Sequence, residues 1–118
     1  MEKWENKLGI AFFKKMGMVP GNIILDFGAR IGHYTIPAAR AVAERGAVYA
    51  LDKDEAALAE LEKKAAFSAL SNIKVYKTSG DFSFNFKKNF FDYILLYDVL
   101  HFIKNSERKK LYKLLRPL

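Results

Sequence analysis

Two aspartates and two glycines carry the first chemical signal in this chain. Asp26 follows the apolar run Ile23-Ile24-Leu25 and precedes Gly28 and Gly32, and Asp52 follows a second run, Ala47-Val48-Tyr49-Ala50-Leu51, about 20 residues after Gly32. Unbroken β-branched and large apolar residues suit strands buried on both faces, so each acid arrives at the carboxyl end of a strand. Gly28 and Gly32 let the main chain turn sharply and let a ligand approach it, while Tyr34 to Ala43 has the apolar spacing of a helix. A carboxylate at the end of the second strand can accept both hydroxyl hydrogens of a ribose. Two strands and two acidic ends thus frame one nucleoside.

The glycine spacing narrows the choice of nucleoside. A dinucleotide fingerprint has three glycines as G-x-G-x-x-G, one of which admits the pyrophosphate to the backbone; here the spacing is G-x-x-x-G. An ionised Asp26 beside the turn repels a pyrophosphate and attracts a ligand carrying an amino group and a sulfonium. Charge therefore favours S-adenosylmethionine over NAD. The two histidines, His33 and His101, are too few for a histidine metal site, the absence of cysteine removes a thiolate one, and no metal is expected.

With those residues in place, the sequence resembles the class I S-adenosylmethionine-dependent methyltransferases. The family's first motif is an acid followed by three alternating glycines; Asp26, Gly28 and Gly32 match it, and Arg30 stands where the middle glycine would be. The resemblance implies that Asp26, Gly28, Ala29, Arg30 and Gly32 hold the methionine end of the cofactor. It implies further that Asp52 and Lys53 meet the ribose, and that Asp81 and Phe82, in Ser79-Gly80-Asp81-Phe82, meet the adenine. The segment Phe91-Asp92-Tyr93-Ile94-Leu95-Leu96-Tyr97-Asp98-Val99-Leu100-His101 resembles the family's fourth strand and the stretch facing the substrate. Tyr97 is expected at the cofactor there, and Asp98 and His101 are the candidate bases for an acceptor that must lose a proton. Methyl transfer to an unidentified acceptor, with S-adenosylhomocysteine as product, is the implied activity. Arg30 leaves two outcomes open: a long side chain that obstructs the backbone path, or one turned to solvent and paired with an acid.

The elements that must position these residues follow from periodicity. Residues 1–118 are expected to form a single domain, opening with an amphipathic helix at about 3–16 on which Trp4, Leu8, Ala11 and Phe12 share a face. Trp4, Phe12 and Phe13 are read as core anchors, with a cover over the cofactor as the alternative. Val19-Pro20-Gly21-Asn22 reads as a turn into the first strand. Asp54 to Ala69 reads as a helix capped by Asp54, with Leu58, Leu61, Ala65 and Ala69 on one face, and Ile73 to Lys77 reads as an edge strand. Ser106 to Leu115 reads as a basic helix. Strands alternating with helices imply an α/β, Rossmann-like three-layer sandwich with a mostly parallel sheet.

By resemblance the strand order is 3-2-1-4, and Leu114-Leu115-Arg116-Pro117-Leu118 resembles the stretch before a fifth strand and a closing hairpin. A truncated sheet is therefore expected, with Tyr93 to Tyr97 as an apolar edge that a homodimer or another partner covers. The net charge of +7 falls almost entirely after Ala59, where 12 basic residues face six acids. That excess reads as a solvated lysine-rich surface, with nucleic acid as the sharper alternative. No run approaches the roughly 18 apolar residues of a membrane span and no secretory signal opens the chain, so no membrane partner and a cytoplasmic location are expected. A non-catalytic or truncated cofactor-binding protein is the competing reading of function, and a basic nucleic-acid-binding module the third.

Overall fold

Asn22 delivers the chain into the sheet. Its backbone N–H donates to the Val19 carbonyl (3.1 Å) and its side-chain Oδ1 accepts from the Val19 N–H (2.9 Å), closing the turn around Pro20 and Gly21. The computed structural model describes residues 3–78, 90–96, 99–102 and 110–113 of the 118-residue chain.

Before that turn, a π-helical stretch, Trp4–Leu8, runs directly into α1 (Gly9–Lys15). After it come β1 (Ile23–Phe27), α2 (Thr35–Val42), β2 (Ala47–Asp52), α3 (Glu55–Phe67) and β3 (Ile73–Lys77). The chain continues through β4 (Tyr93–Leu96), β5 (Val99–Phe102) and β6 (Lys110–Lys113). The sheet order is β3-β2-β1-β4-β5-β6. β1 pairs in parallel with both β2 and β4, Ile24 lying opposite Val48 on one side and Tyr93 on the other, and β2 pairs in parallel with β3. The expected Rossmann-like fold with a 3-2-1-4 core is what forms.

Strand alternation sorts the core. Even-numbered Ile24, Val48 and Ala50, with odd-numbered Tyr93 and Leu95, point at the helices and pack with Phe13, Ala38, Val42, Ile36, Leu58 and Leu61. The opposite face gathers Leu25, Phe27, Leu51 and Phe91, with Tyr49 and Ile94 beside them. Both faces of β1 are therefore apolar, as a central parallel strand requires. α3 is capped as its sequence indicates: the Asp54 carboxylate accepts the Ala57 N–H at 3.1 Å, an interaction worth about 1 kcal/mol. The helix ends at Phe67, and Ala69, expected on its buried face, lies beyond it at φ 56°.

Two expectations about the far edge of the sheet are also overturned. Tyr93–Leu96 is not an open edge, because β5 pairs with it antiparallel from Leu96↔Val99 to Tyr93↔Phe102; the premise for a homodimer covering that edge falls with it. Nor is 106–115 a helix throughout, since Lys110–Lys113 is a strand paired antiparallel with β5, Leu111 opposite His101. A four-residue segment with one or two apolar positions fits either period, and pairing decides because it satisfies the strand's backbone groups.

The N-terminal helices close the helical face through rings. Phe13, with no solvent exposure, meets Trp4, Phe12 and Tyr34 at centroid distances of 6.2, 5.5 and 6.5 Å. Phe13→Ala is expected to lower the unfolding free energy by about 3–5 kcal/mol, read as a lower urea midpoint at unchanged slope. A loss under about 1 kcal/mol would show that the aromatic cluster does not hold these helices in place.

Candidate functional site

The segment between β1 and α2 reverses direction through three residues with positive φ: Gly28 (86°), Arg30 (54°) and Gly32 (97°). Their alternation gives the loop its path. The N–H groups of Gly28 and Ala29 both donate to the Leu51 carbonyl (2.7 and 3.0 Å), holding the loop against the end of β2. At Gly32 a Cβ would run into the Leu61 side chain of α3, so the third position needs glycine for space as well as for conformation. Arg30 occupies the middle left-handed position at a strain of about 1 kcal/mol, with its side chain exposed to solvent.

Asp52, 8% exposed at the end of β2, holds this loop in place. Its Oδ2 accepts the Arg30 backbone N–H at 2.8 Å and its Oδ1 accepts the Asp54 N–H at 2.9 Å. The main chain of Arg30, rather than its guanidinium, thus meets an acid. Each carboxylate oxygen keeps a second lone pair, the acceptor arrangement that two vicinal hydroxyls need.

Asp26 lies deeper, 3% exposed, the penultimate residue of β1. Its Oδ2 accepts the Thr35 hydroxyl at 2.5 Å, which ties the first residue of α2 back to the strand that precedes the loop. The far side of the loop is braced by the N-terminal segment: the Trp4 indole N–H donates to the His33 carbonyl at 2.8 Å. Glu5, 9% exposed, pairs through Oε2 with Lys64 Nζ of α3 at 2.6 Å and stands 3.6 Å from His33 Nδ1.

A cleft of about 570 Å³ opens at the carboxyl ends of β1, β2 and β3. Of the residues expected from sequence, Gly28, Arg30, Asp52 and Lys53 line it together. Asp26 sits beneath the loop, Ala29 packs into the α3 side of the core and Gly32 backs onto Leu61. His101 lies on β5 opposite Ile94 and Leu111. Asp81, Phe82, Tyr97 and Asp98 fall outside the described residues. The cleft adds Phe27, Ile31, His33, Asp54, Ala57 and Thr78, none of which sequence reasoning assigned to it. Thr78 had a readable signal, since it follows β3 as Asp52 closes β2, and its N–H donates to the Asp52 carbonyl at 2.9 Å. Ala57 and Asp54 enter only because α3 starts at the cleft floor.

A small-molecule pocket of this size, with a few convergent polar groups, suits a nucleoside ligand. The glycine positions give it close access to backbone, and Asp52 supplies paired acceptors where a ribose would lie. These residues fit S-adenosylmethionine. Among the described residues no group of three or more His, Cys, Asp or Glu could hold a metal ion, and no helix is long and apolar enough to cross a membrane.

Comparison with known proteins points the same way. A family model described as a methyltransferase domain matches residues 24–118. The chain is 29% identical over 101 residues to a 23S rRNA (uracil(1939)-C(5))-methyltransferase of Acinetobacter baylyi, covering 77% of the chain and 22% of that protein. Among solved structures it is similar to a SAM-dependent methyltransferase from Aquifex aeolicus, at 27% identity and a TM-score of 0.67, over 78% of this chain and 48% of that one. It is also similar to a putative rRNA methylase from Clostridium thermocellum, at 28% identity and a TM-score of 0.54, over 62% of this chain and 42% of that one. The chain therefore spans about a fifth of the curated relative's length and about half of the Aquifex protein's.

Two variants test this geometry. In Asp52→Ala the amides of Arg30 and Asp54 lose their acceptor, and their hydrogen exchange is expected to speed up about tenfold or more while Val48 in mid-strand keeps its protection; unchanged rates at both amides would mean that Asp52 does not order the loops. Gly32→Ala is expected to destabilise the protein by about 1–3 kcal/mol through left-handed strain and the clash with Leu61. A melting temperature equal to that of the parent chain would count against the tight loop packing.

Proposed function

This chain belongs to the methyltransferase domain family, and from that premise we propose that its cleft binds S-adenosylmethionine and serves methyl transfer to an acceptor. The observation that carries the reading is the Asp52 carboxylate. Both of its oxygens are fixed by backbone N–H groups, and their remaining lone pairs are available to the ribose hydroxyls. Gly28, without a side chain, leaves the backbone at the loop open to the methionine end. Lys53 lines the same cleft beside Asp52.

When bound, the cofactor supplies a methyl group on a positively charged sulfur, already activated for in-line displacement. The protein's share is then orientation more than acid–base work. Asp52 fixes the nucleoside, the loop from Gly28 to Gly32 fixes the other end, and Trp4, Glu5 and Thr35 keep that loop from shifting. RNA is the acceptor class named by two of the relatives compared above, a 23S rRNA methyltransferase and a putative rRNA methylase. The net charge of +7 suits a polyanionic acceptor as well.

Calorimetric titration with S-adenosylhomocysteine tests the site. Saturable binding is expected for the native chain, with a loss of about 100-fold in Asp52→Ala, where two charge-assisted hydrogen bonds disappear. Arg30→Gly is expected to stay within about tenfold of the native affinity, because the backbone N–H that meets Asp52 is kept. Affinity that is indifferent to Asp52→Ala would remove the proposed ribose contact. Transfer of a labelled methyl group to an RNA pool supports the enzymatic reading; cofactor binding without transfer to RNA, protein or small-molecule pools supports a non-catalytic one.

A further inference from the structure

The two ring nitrogens of His33 have different surroundings. Nδ1 is buried and has no hydrogen-bond partner. It faces Glu5 Oε2 at 3.6 Å, close enough for a charge contact and too long for a hydrogen bond. A bare lone pair on Nδ1 would be set against that carboxylate oxygen, so the proton is assigned to Nδ1. The side chain is 39% exposed, and with Nδ1 buried that surface belongs to the rest of the ring, where Nε2 is the polar atom. His33 lines the cleft of about 570 Å³. Nε2 is thus the nitrogen offered to a ligand there.

Behind the ring the charges form a row. Glu5, 9% exposed, also takes Lys64 Nζ of α3 on its Oε2 at 2.6 Å. Lys64, Glu5 and a doubly protonated His33 alternate positive, negative, positive, and an anion at Nε2 completes the alternation. α2 (Thr35–Val42) starts two residues after His33, and its N-cap residue, Tyr34, makes no side-chain capping bond. The positive end of the helix dipole therefore adds to the preference for an anion at this corner. The cofactor carries one anionic group, the carboxylate of its methionine end. Other charged groups are less well placed to meet it: Lys53 follows Asp52 at the ribose end, Arg30 exposes its side chain to solvent, and Asp26 lies beneath the loop, bonded to Thr35.

We propose that the His33 imidazolium, backed by Glu5, binds the carboxylate of S-adenosylmethionine, so that the cofactor is held with uptake of a proton. The inference rests on the cofactor reading given above. A ligand that selects the protonated ring binds best on the acid side and loses affinity as pH rises. The charged groups around the ring are Glu5 from the N-terminal segment with Lys64 of α3 behind it, Arg30, Asp52, Lys53 and Asp54 in the cleft, and Asp26 beneath the loop. Carboxylates, lysines and arginines ordinarily keep their charge between about pH 5.5 and 8, whereas an imidazole changes its own there.

Calorimetric titration of the full chain with S-adenosylhomocysteine, which has the same carboxylate, is expected to show affinity falling about tenfold between about pH 5.5 and 8, the worth of one charge-assisted hydrogen bond. The contrasting probe is 5′-deoxy-5′-(3-aminopropylthio)adenosine, which lacks only the carboxylate. It should bind about tenfold or more weakly at the acid end, with no dependence on pH. His33→Gln should weaken S-adenosylhomocysteine to a similar degree at the acid end, flatten its pH profile, and leave the carboxylate-free probe within about twofold. If circular dichroism shows that His33→Gln has not folded, the pH profile and the probe decide the matter on the native chain. Equal binding of the two compounds, a flat profile in the native chain, or unchanged binding in His33→Gln overturns the proposal and leaves the cofactor reading standing. Failure of both compounds to bind the native chain overturns the two together.

Discussion

One carboxylate joins the parts of this protein that have to meet. The loop after β1 and the loop after β2 each send a backbone N–H, from Arg30 and from Asp54, to opposite oxygens of Asp52. Neither loop has a regular partner of its own at that point, and a buried N–H without an acceptor is costly. Asp52 therefore does for these loops what the strand ladder does for β1 and β2. Because it satisfies only half of its own acceptor capacity in doing so, it remains usable by a ligand. The structural role thus leaves two of its four lone pairs for the binding role proposed above.

The rest of the site is a set of braces on that junction. Asp26 reaches across to Thr35 and fixes where α2 starts; Trp4 fixes the His33 carbonyl; Glu5 joins the N-terminal segment to Lys64 on α3. The braces come from two elements, β1 and the π-helical stretch Trp4–Leu8, so the loop keeps its shape although three of its five residues have positive φ. Left-handed residues persist where surrounding contacts leave no alternative. That constraint explains how Arg30 can stand at a position where the family's first motif has glycine: the backbone is held by its neighbours, and the side chain leaves toward solvent.

Opposite ends of the sheet have different chemistry for a geometric reason. Parallel strands put all their carboxyl ends together, and at that end the loops carry Asp52, Lys53 and Thr78 around open backbone. At the other end the helices finish, so carbonyls and their negative dipole ends collect, and Asn72 is drawn in to cap Ala39 and Ala43.

The sequence by itself determined the parallel core, because unbroken apolar runs at Ile23–Leu25 and Ala47–Leu51 can be satisfied only as strands covered on both faces. It determined the strand-end acid Asp52, the Asp54 cap of α3 and the glycine turn as well, since each depends on residue type and local spacing. Tertiary structure alone decided that Arg30 joins the site through its backbone, and that Asp26 spends a carboxylate oxygen on Thr35. It also decided that β5 and β6 extend the sheet beyond β4, where residue pattern alone predicts an open edge and a basic helix. The Arg30–Asp52 contact joins residues 22 apart in the chain, and the other outcomes rest on which backbone and side-chain groups find partners, neither of which leaves a period or a composition in a one-dimensional string.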